Sequence, residues 1–203
     1  THGFDDQGAQ FDKTGNLRNW WTEADKKNFE KRTKVMEDFF NKIEVLPGMM
    51  ANGKLTLGEN IADNGGLNVA YQALQNTMKT KKGETLEGFT PEQRFFLSFG
   101  LIWAQNIRPE QLRMLNKMDP HAPARWRVNA ALPQIDAWYK AFNITSKDPL
   151  FVPKAKDIDP LNCFLLLQLL RAYLGPLYFP REHLHPDRGL QCSRPCGGFA
   201  RHV

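Results

Sequence analysis

Two acids, Glu59 and Asp63, stand four residues apart in the segment Gly58-Glu-Asn-Ile-Ala-Asp-Asn-Gly-Gly66. On a helix that spacing stacks both carboxylates on one face, a turn apart. Neighbouring carboxylates repel unless a cation or a hydrogen-bonding base lies between them. The chain holds such partners far from this segment: His2 with Asp5 and Asp6 near its start, and His121 with Arg127 further on. Imidazole and carboxylate are the ligand types of a catalytic zinc ion, which keeps one position open for water. The pattern implies a zinc hydrolase site assembled from separated segments. Each residue taken singly has a plainer reading. His2 can be a surface histidine, His121 a loop residue, Arg127 a surface charge, and the two acids ordinary carboxylates favoured at a helix N-terminus.

The elements needed to position these residues are legible. Thr22 is a helix N-cap with Asp25 three residues on, and the helix it opens is expected to run to about Glu44. Phe29, Met36, Phe39, Phe40 and Ile43 form its apolar stripe. Leu46-Pro47-Gly48 and Asn52-Gly53 are turns, and Gly58 leads into the helix of Glu59 and Asp63. Gly65-Gly66 inside that helix suggests close approach of another backbone. Thr90-Pro91-Glu92-Gln93 is a capping box with proline in the first turn. Phe95, Phe96, Phe99, Ile102 and Trp103 make that helix read as largely buried. Pro109 opens a short helix to about Met118, and Pro133 opens the last one, with Ile135, Trp138, Tyr139 and Phe142. Phe11 to Arg18 reads as a hairpin or tight loop around Thr14-Gly15-Asn16. Strand signals are few, so the fold class is mainly α.

Thr1-His2-Gly3-Phe4-Asp5-Asp6, then Trp20-Trp21-Thr22, then Gly58 to Gly66, then Asp119-Pro120-His121-Ala122-Pro123 and Arg125-Trp126-Arg127 occur in one order. In that order and spacing the chain resembles the neprilysin-type zinc endopeptidases, family M13. The resemblance runs from Thr1 to about residue 157. It implies the C-terminal part of a zincin (gluzincin) catalytic domain and a single Zn2+ per complete site. It implies that His2 and Glu59 are metal ligands and that Asp63 orients a ligating histidine from behind, with a catalytic proton-donor label in some descriptions. Asp6, and less directly Asp5, would do similar orienting work. His121 would act on the oxyanion of the tetrahedral intermediate, and Arg127 would hold a substrate backbone carbonyl.

Thr1 answers to the fourth position of the family's HExxH motif, so the first histidine and the general-base glutamate do not occur in this sequence. The expectation is a C-terminal fragment, inactive alone, whose partners are peptide substrates and the missing N-terminal part of the same peptidase. The family cleaves oligopeptides on the amino side of hydrophobic residues. The absence of cysteine before residue 158 points to a bacterial member, extracytoplasmic like many of its relatives. A non-catalytic helical module that binds a partner is the alternative. It would leave His2 and Glu59 far apart.

The net charge of +5 is mild and the basic residues are scattered, so no nucleic-acid partner is expected. All fifteen lysines and all five tryptophans precede residue 158, and all three cysteines follow it. Residues 158–203 are therefore expected to be an irregular tail, a frameshift or read-through product rather than part of the domain. Phe164 to Leu170 is too short to span a membrane. His183, His185, Cys192 and Cys196 fit no compact zinc spacing.

Overall fold

Thr22 begins the longest run of local order at the N-terminal side. Its hydroxyl accepts the backbone N–H of Asp25 at 3.1 Å and donates to the Asp25 carboxylate at 2.6 Å. The computed structural model, which describes residues 2–153, places helix α1 at Glu23–Phe40 directly after this cap. Phe29, Thr33, Met36 and Phe40 are its buried residues, at spacings of four, three and four. On the wet side Lys34 pairs with Glu37 and Asp38.

α1 stops short of the expected Glu44. The chain turns into a small antiparallel hairpin, β1 (Glu44–Leu46) and β2 (Met49–Met50), around Gly48 at φ 74°. The cause is tertiary. The Asn41 side chain accepts the Gly53 N–H at 2.7 Å, and a Cβ at Gly53 would collide with the Glu37 carbonyl. The chain returning through Gly53 thus lies across the end of α1 and diverts it.

Helix α2 (Leu57–Thr80) carries the paired acids. Its buried residues are Leu57, Asn60, Ile61, Ala62, Asn64 and Leu67, all in its first half. Leu57 and Ile61 belong to one apolar cluster, with Phe29, Met36, Phe40, Ile43 and Ala130. Leu67 belongs to a second, with Phe96, Leu132, Ile135 and Trp138. α2 is therefore common to both cores, and its acid-bearing turns lie where they meet. Full burial of each large apolar side chain contributes about 1.5–3 kcal/mol, so this end of α2 is held firmly.

Helix α3 (Pro91–Ile102) has the expected capping box. The Gln93 amide also donates to the Ala141 carbonyl at 2.9 Å, tying α3 to the last helix. The expectation of a largely buried α3 is corrected: Phe96 is its one buried residue, while Leu101 and Ile102 are 75% and 72% exposed. The helix is apolar on every side, and the described residues cover only its Phe96 side.

Helix α4 spans Pro109–Met118 as expected. A short helix α5 (Ala124–Asn129), which the sequence reading missed, carries Arg127. Pro133 lies in a 3₁₀ turn (Leu132–Gln134), and α6 begins later than expected, at Asp136–Phe142.

Residues before α1 form two 3₁₀ turns, His2–Phe4 and Gly8–Gln10, and then a loop closed by a Phe11–Leu17 bridge. Trp20 and Trp21 pin that loop by donating their indole N–H groups to the Phe11 and Ala9 carbonyls. No described helix is long and apolar enough to cross a membrane. The tail, with Phe164–Leu170 and the His183, His185, Cys192 and Cys196 set, lies outside the described residues.

Candidate active site

Glu59 lies in the first turn of α2 with its carboxylate 19% exposed. Three groups converge on it from other elements. His2 Nε2 stands 3.6 Å from Oε1, His121 Nε2 stands 3.3 Å from Oε2, and Arg127 Nη2 stands 3.7 Å from Oε2. Residues from the first turn, from α2, from the loop after α4 and from α5 thus meet around one carboxylate.

Each imidazole is held from behind by its own aspartate. His2 Nδ1 is 2.7 Å from the Asp5 carboxylate, and His121 Nδ1 is 2.6 Å from that of Asp119. In both cases Nε2 is the nitrogen turned toward Glu59. Asp5 is itself fixed: it is buried, and its other oxygen accepts the backbone N–H groups of Gln7 and Gly8 at 2.9 and 2.7 Å. Asp119 also accepts the His121 backbone N–H at 2.9 Å. That backbone hydrogen bond, followed by the His121 ring and the charge of Arg127, holds the Asp119 carboxyl below the ordinary aspartate range.

Asp63 is paired with Arg127. Both of its oxygens are committed to Arg127, accepting Nε–H at 2.7 Å and Nη2–H at 2.6 Å. This bidentate fork is the geometry a guanidinium offers a carboxylate, and both partners are largely buried. Asp63 therefore orients the arginine, while Asp5 and Asp119 take the histidines. Asp6 touches neither imidazole. Its Oδ1 is buried with no hydrogen-bond partner among the described residues, and burial, then the neighbouring Asp5 charge, raises its pKa.

Glycine matters here at Gly58. A Cβ at that position would come 2.9 Å from Asp6 Oδ1 and 3.4 Å from Asp5 Oδ2. The missing side chain lets the Asp5-Asp6 segment close on the start of α2, which brings His2 to Glu59. Gly66, one of the pair Gly65-Gly66 where close approach was expected, has no described residue within 4 Å of an added Cβ.

The expected zinc ligands can be tested for fit. Two ligand atoms bound about 2.0–2.1 Å from one tetrahedral ion stand about 3.3 Å apart. His2 Nε2 and Glu59 Oε1, at 3.6 Å, are too far apart for a hydrogen bond and near that ligand–ligand spacing. Asp5 behind Nδ1 leaves Nε2 as the nitrogen available to a metal ion. Donor chemistry and spacing fit two of the ligands. Among the described residues no group of three or more His, Cys, Asp or Glu side chains is gathered to hold a metal ion.

The fold is mainly helical and matches that of zincin-type peptidases. Comparison with known proteins places it. Residues 1–158 match the sequence profile of peptidase family M13. Human endothelin-converting enzyme 1 is 41% identical over 162 residues, covering 78% of this chain and 21% of that protein. Neprilysin-1 of Caenorhabditis elegans is 36% identical over 156 residues, 74% of this chain and 21% of that one. Among solved structures, the zinc metalloprotease Zmp1 of Mycobacterium tuberculosis in complex with inhibitor superposes with a TM-score of 0.72 at 37% identity, covering 75% of this chain and 24% of that one. PepO of Lactobacillus rhamnosis superposes with a TM-score of 0.64 at 38% identity, covering 75% and 22%. The chain belongs to peptidase family M13. It spans about a fifth of the length of the curated relatives it matches.

Proposed function

We propose that this chain supplies the C-terminal part of the active site of a zinc metalloendopeptidase that hydrolyses peptide bonds. The observation that carries the reading is the approach of His2 Nε2 to Glu59 Oε1, at ligand–ligand spacing, with Asp5 behind the ring. It also weighs against the non-catalytic helical module, for which those two side chains need not meet.

Bound between His2 and Glu59, Zn2+ would supply Lewis acidity toward a carbonyl and a more acidic bound water. The chain's own residues do the rest. Asp5 keeps a proton on His2 Nδ1, so Nε2 presents its lone pair. Asp119 holds the His121 ring in the same way. The His121 Nε2 is the ring atom turned toward the place where an oxyanion would form beside Glu59. Asp63 occupies Nε–H and one Nη2–H of Arg127. Among the described residues no hydrogen bond engages Nη1, which leaves its N–H groups for a peptide carbonyl.

The 203-residue sequence contains no HExxH motif, so the chain by itself lacks one ligand and the base that activates water. It is expected to bind zinc weakly and to show no turnover. Titration of the isotope-labelled chain with Zn2+, followed by NMR, is the test. The His2 ring signals should move, and Glu59→Ala should abolish the movement. Zinc that leaves His2 untouched would sink the site assignment. Chelator-sensitive peptide cleavage by the isolated chain would overturn the expected inactivity.

A further inference from the structure

The indole of Trp103 lies against the guanidinium of Arg127, with the Arg127 Cζ atom 4.0 Å from the ring centroid. No role in the site was assigned to Trp103 from sequence. It directly follows α3 and caps it, its backbone N–H bonded to the Gly100 and Leu101 carbonyls. Its ring meets Phe99 edge-on at 6.4 Å. The indole is thus fixed by α3 and faces the arginine of α5, whose side chain is only 11% exposed.

A carboxylate fork sets the in-plane position of a guanidinium but resists tilting about the line between the two hydrogen bonds only weakly. An aromatic face on one side supplies the missing restraint, and a cation over an indole is the most favourable such pair. We infer that Trp103 is a positioning residue: its indole face holds the plane of Arg127, so that Asp63 and Trp103 together aim the free Nη1 edge. The inference deepens the peptidase reading and, for its meaning in catalysis, rests on it. The positioning itself is a property of the chain whatever that chain does. It also gives α3 a part in the site, although none of the expected site residues lies on that helix.

The test uses the isotope-labelled chain and two variants, Trp103→Leu and Trp103→Phe. In the parent, the Arg127 side-chain protons should be shifted upfield by the indole ring current, and its Nε–H, bonded to Asp63, should exchange slowly with water. Trp103→Leu should remove the shift and speed Nε–H exchange by about tenfold, the effect of a partly desolvated cation–π contact. Trp103→Phe keeps an aromatic face and should restore most of the protection, which a merely volume-filling role would not require. Equal Nε–H protection in the parent and Trp103→Leu overturns the inference, as does an Arg127 without a ring-current shift in the parent. Should Trp103→Leu unfold the chain, the phenylalanine variant still decides. Its ring is smaller and less attractive to a cation, so protection equal to or above the parent's overturns the role, and a modest loss supports it. The peptidase reading is decided separately by the zinc titration at His2, so either can fail while the other stands.

Discussion

Four carboxylates crowd this site, and each has a different task because each faces a different partner. Asp63 belongs to Arg127, Asp5 to His2, and Asp119 to His121, while Glu59 is the group all three bases approach. Asp63→Ala would leave a largely buried guanidinium without its counter-charge. It should cost about 2–3 kcal/mol of stability, measured by urea denaturation. A loss below 0.5 kcal/mol, roughly the value of an exposed pair, would mean that the fork contributes little. Asp119 makes a pH prediction. Its carboxyl is held below the ordinary value by the His121 backbone N–H first. A carboxylate with a depressed folded-state pKa contributes stability above its unfolded value and loses it as pH falls through the folded one. The loop around His121 should therefore stay ordered down through the ordinary aspartate range and loosen only below it. A carbon-13 NMR titration of Asp119 should show a midpoint under 3.8, the ordinary value. A midpoint at or above that value contradicts the arrangement.

At the level of elements, the caps and stripes were readable because they depend on neighbours in the chain. Thr22 and Thr90 cap their helices with hydrogen bonds to residues three positions on, and α1 buries Phe29, Met36 and Phe40 of its expected stripe. The end of α1, the start of α6 and the existence of α5 were not readable. α1 is diverted by the chain at Gly53 lying across its end, where it meets Glu37 and Asn41 from twelve or more residues away. α5 is only Ala124–Asn129, too short for a periodic signal to stand out. Gly58 is the element-level hinge of the site, because its bare backbone accepts both Asp5 and Asp6. Gly58→Ala is compatible with the helix but not with those carboxylates. It should leave helical content by circular dichroism unchanged while weakening the zinc-induced shift of the His2 ring several-fold. A variant with an unaltered His2 response would show that the Asp5-Asp6 turn moves freely.

Over the whole molecule, two apolar clusters joined by α2 hold apart and orient the pieces that meet at Glu59. Phe96, 2% exposed in the second cluster, should cost about 3–5 kcal/mol when truncated to alanine, by chemical denaturation. Leu101, 75% exposed on the other side of the same helix, should tolerate lysine within about 0.5 kcal/mol in this chain. Equal costs at the two positions would mean that both sides of α3 are covered. The sequence alone determined the family, because the site's residue types recur in one order and spacing, and it determined most helix starts, because caps are local. Tertiary structure alone decided that Asp63 serves Arg127. Asp63 and Arg127 are sixty-four residues apart, and no periodicity reports a contact at that range. The choice is made by how α2 and α5 pack, and by the Trp103 face that α3 brings to the same guanidinium.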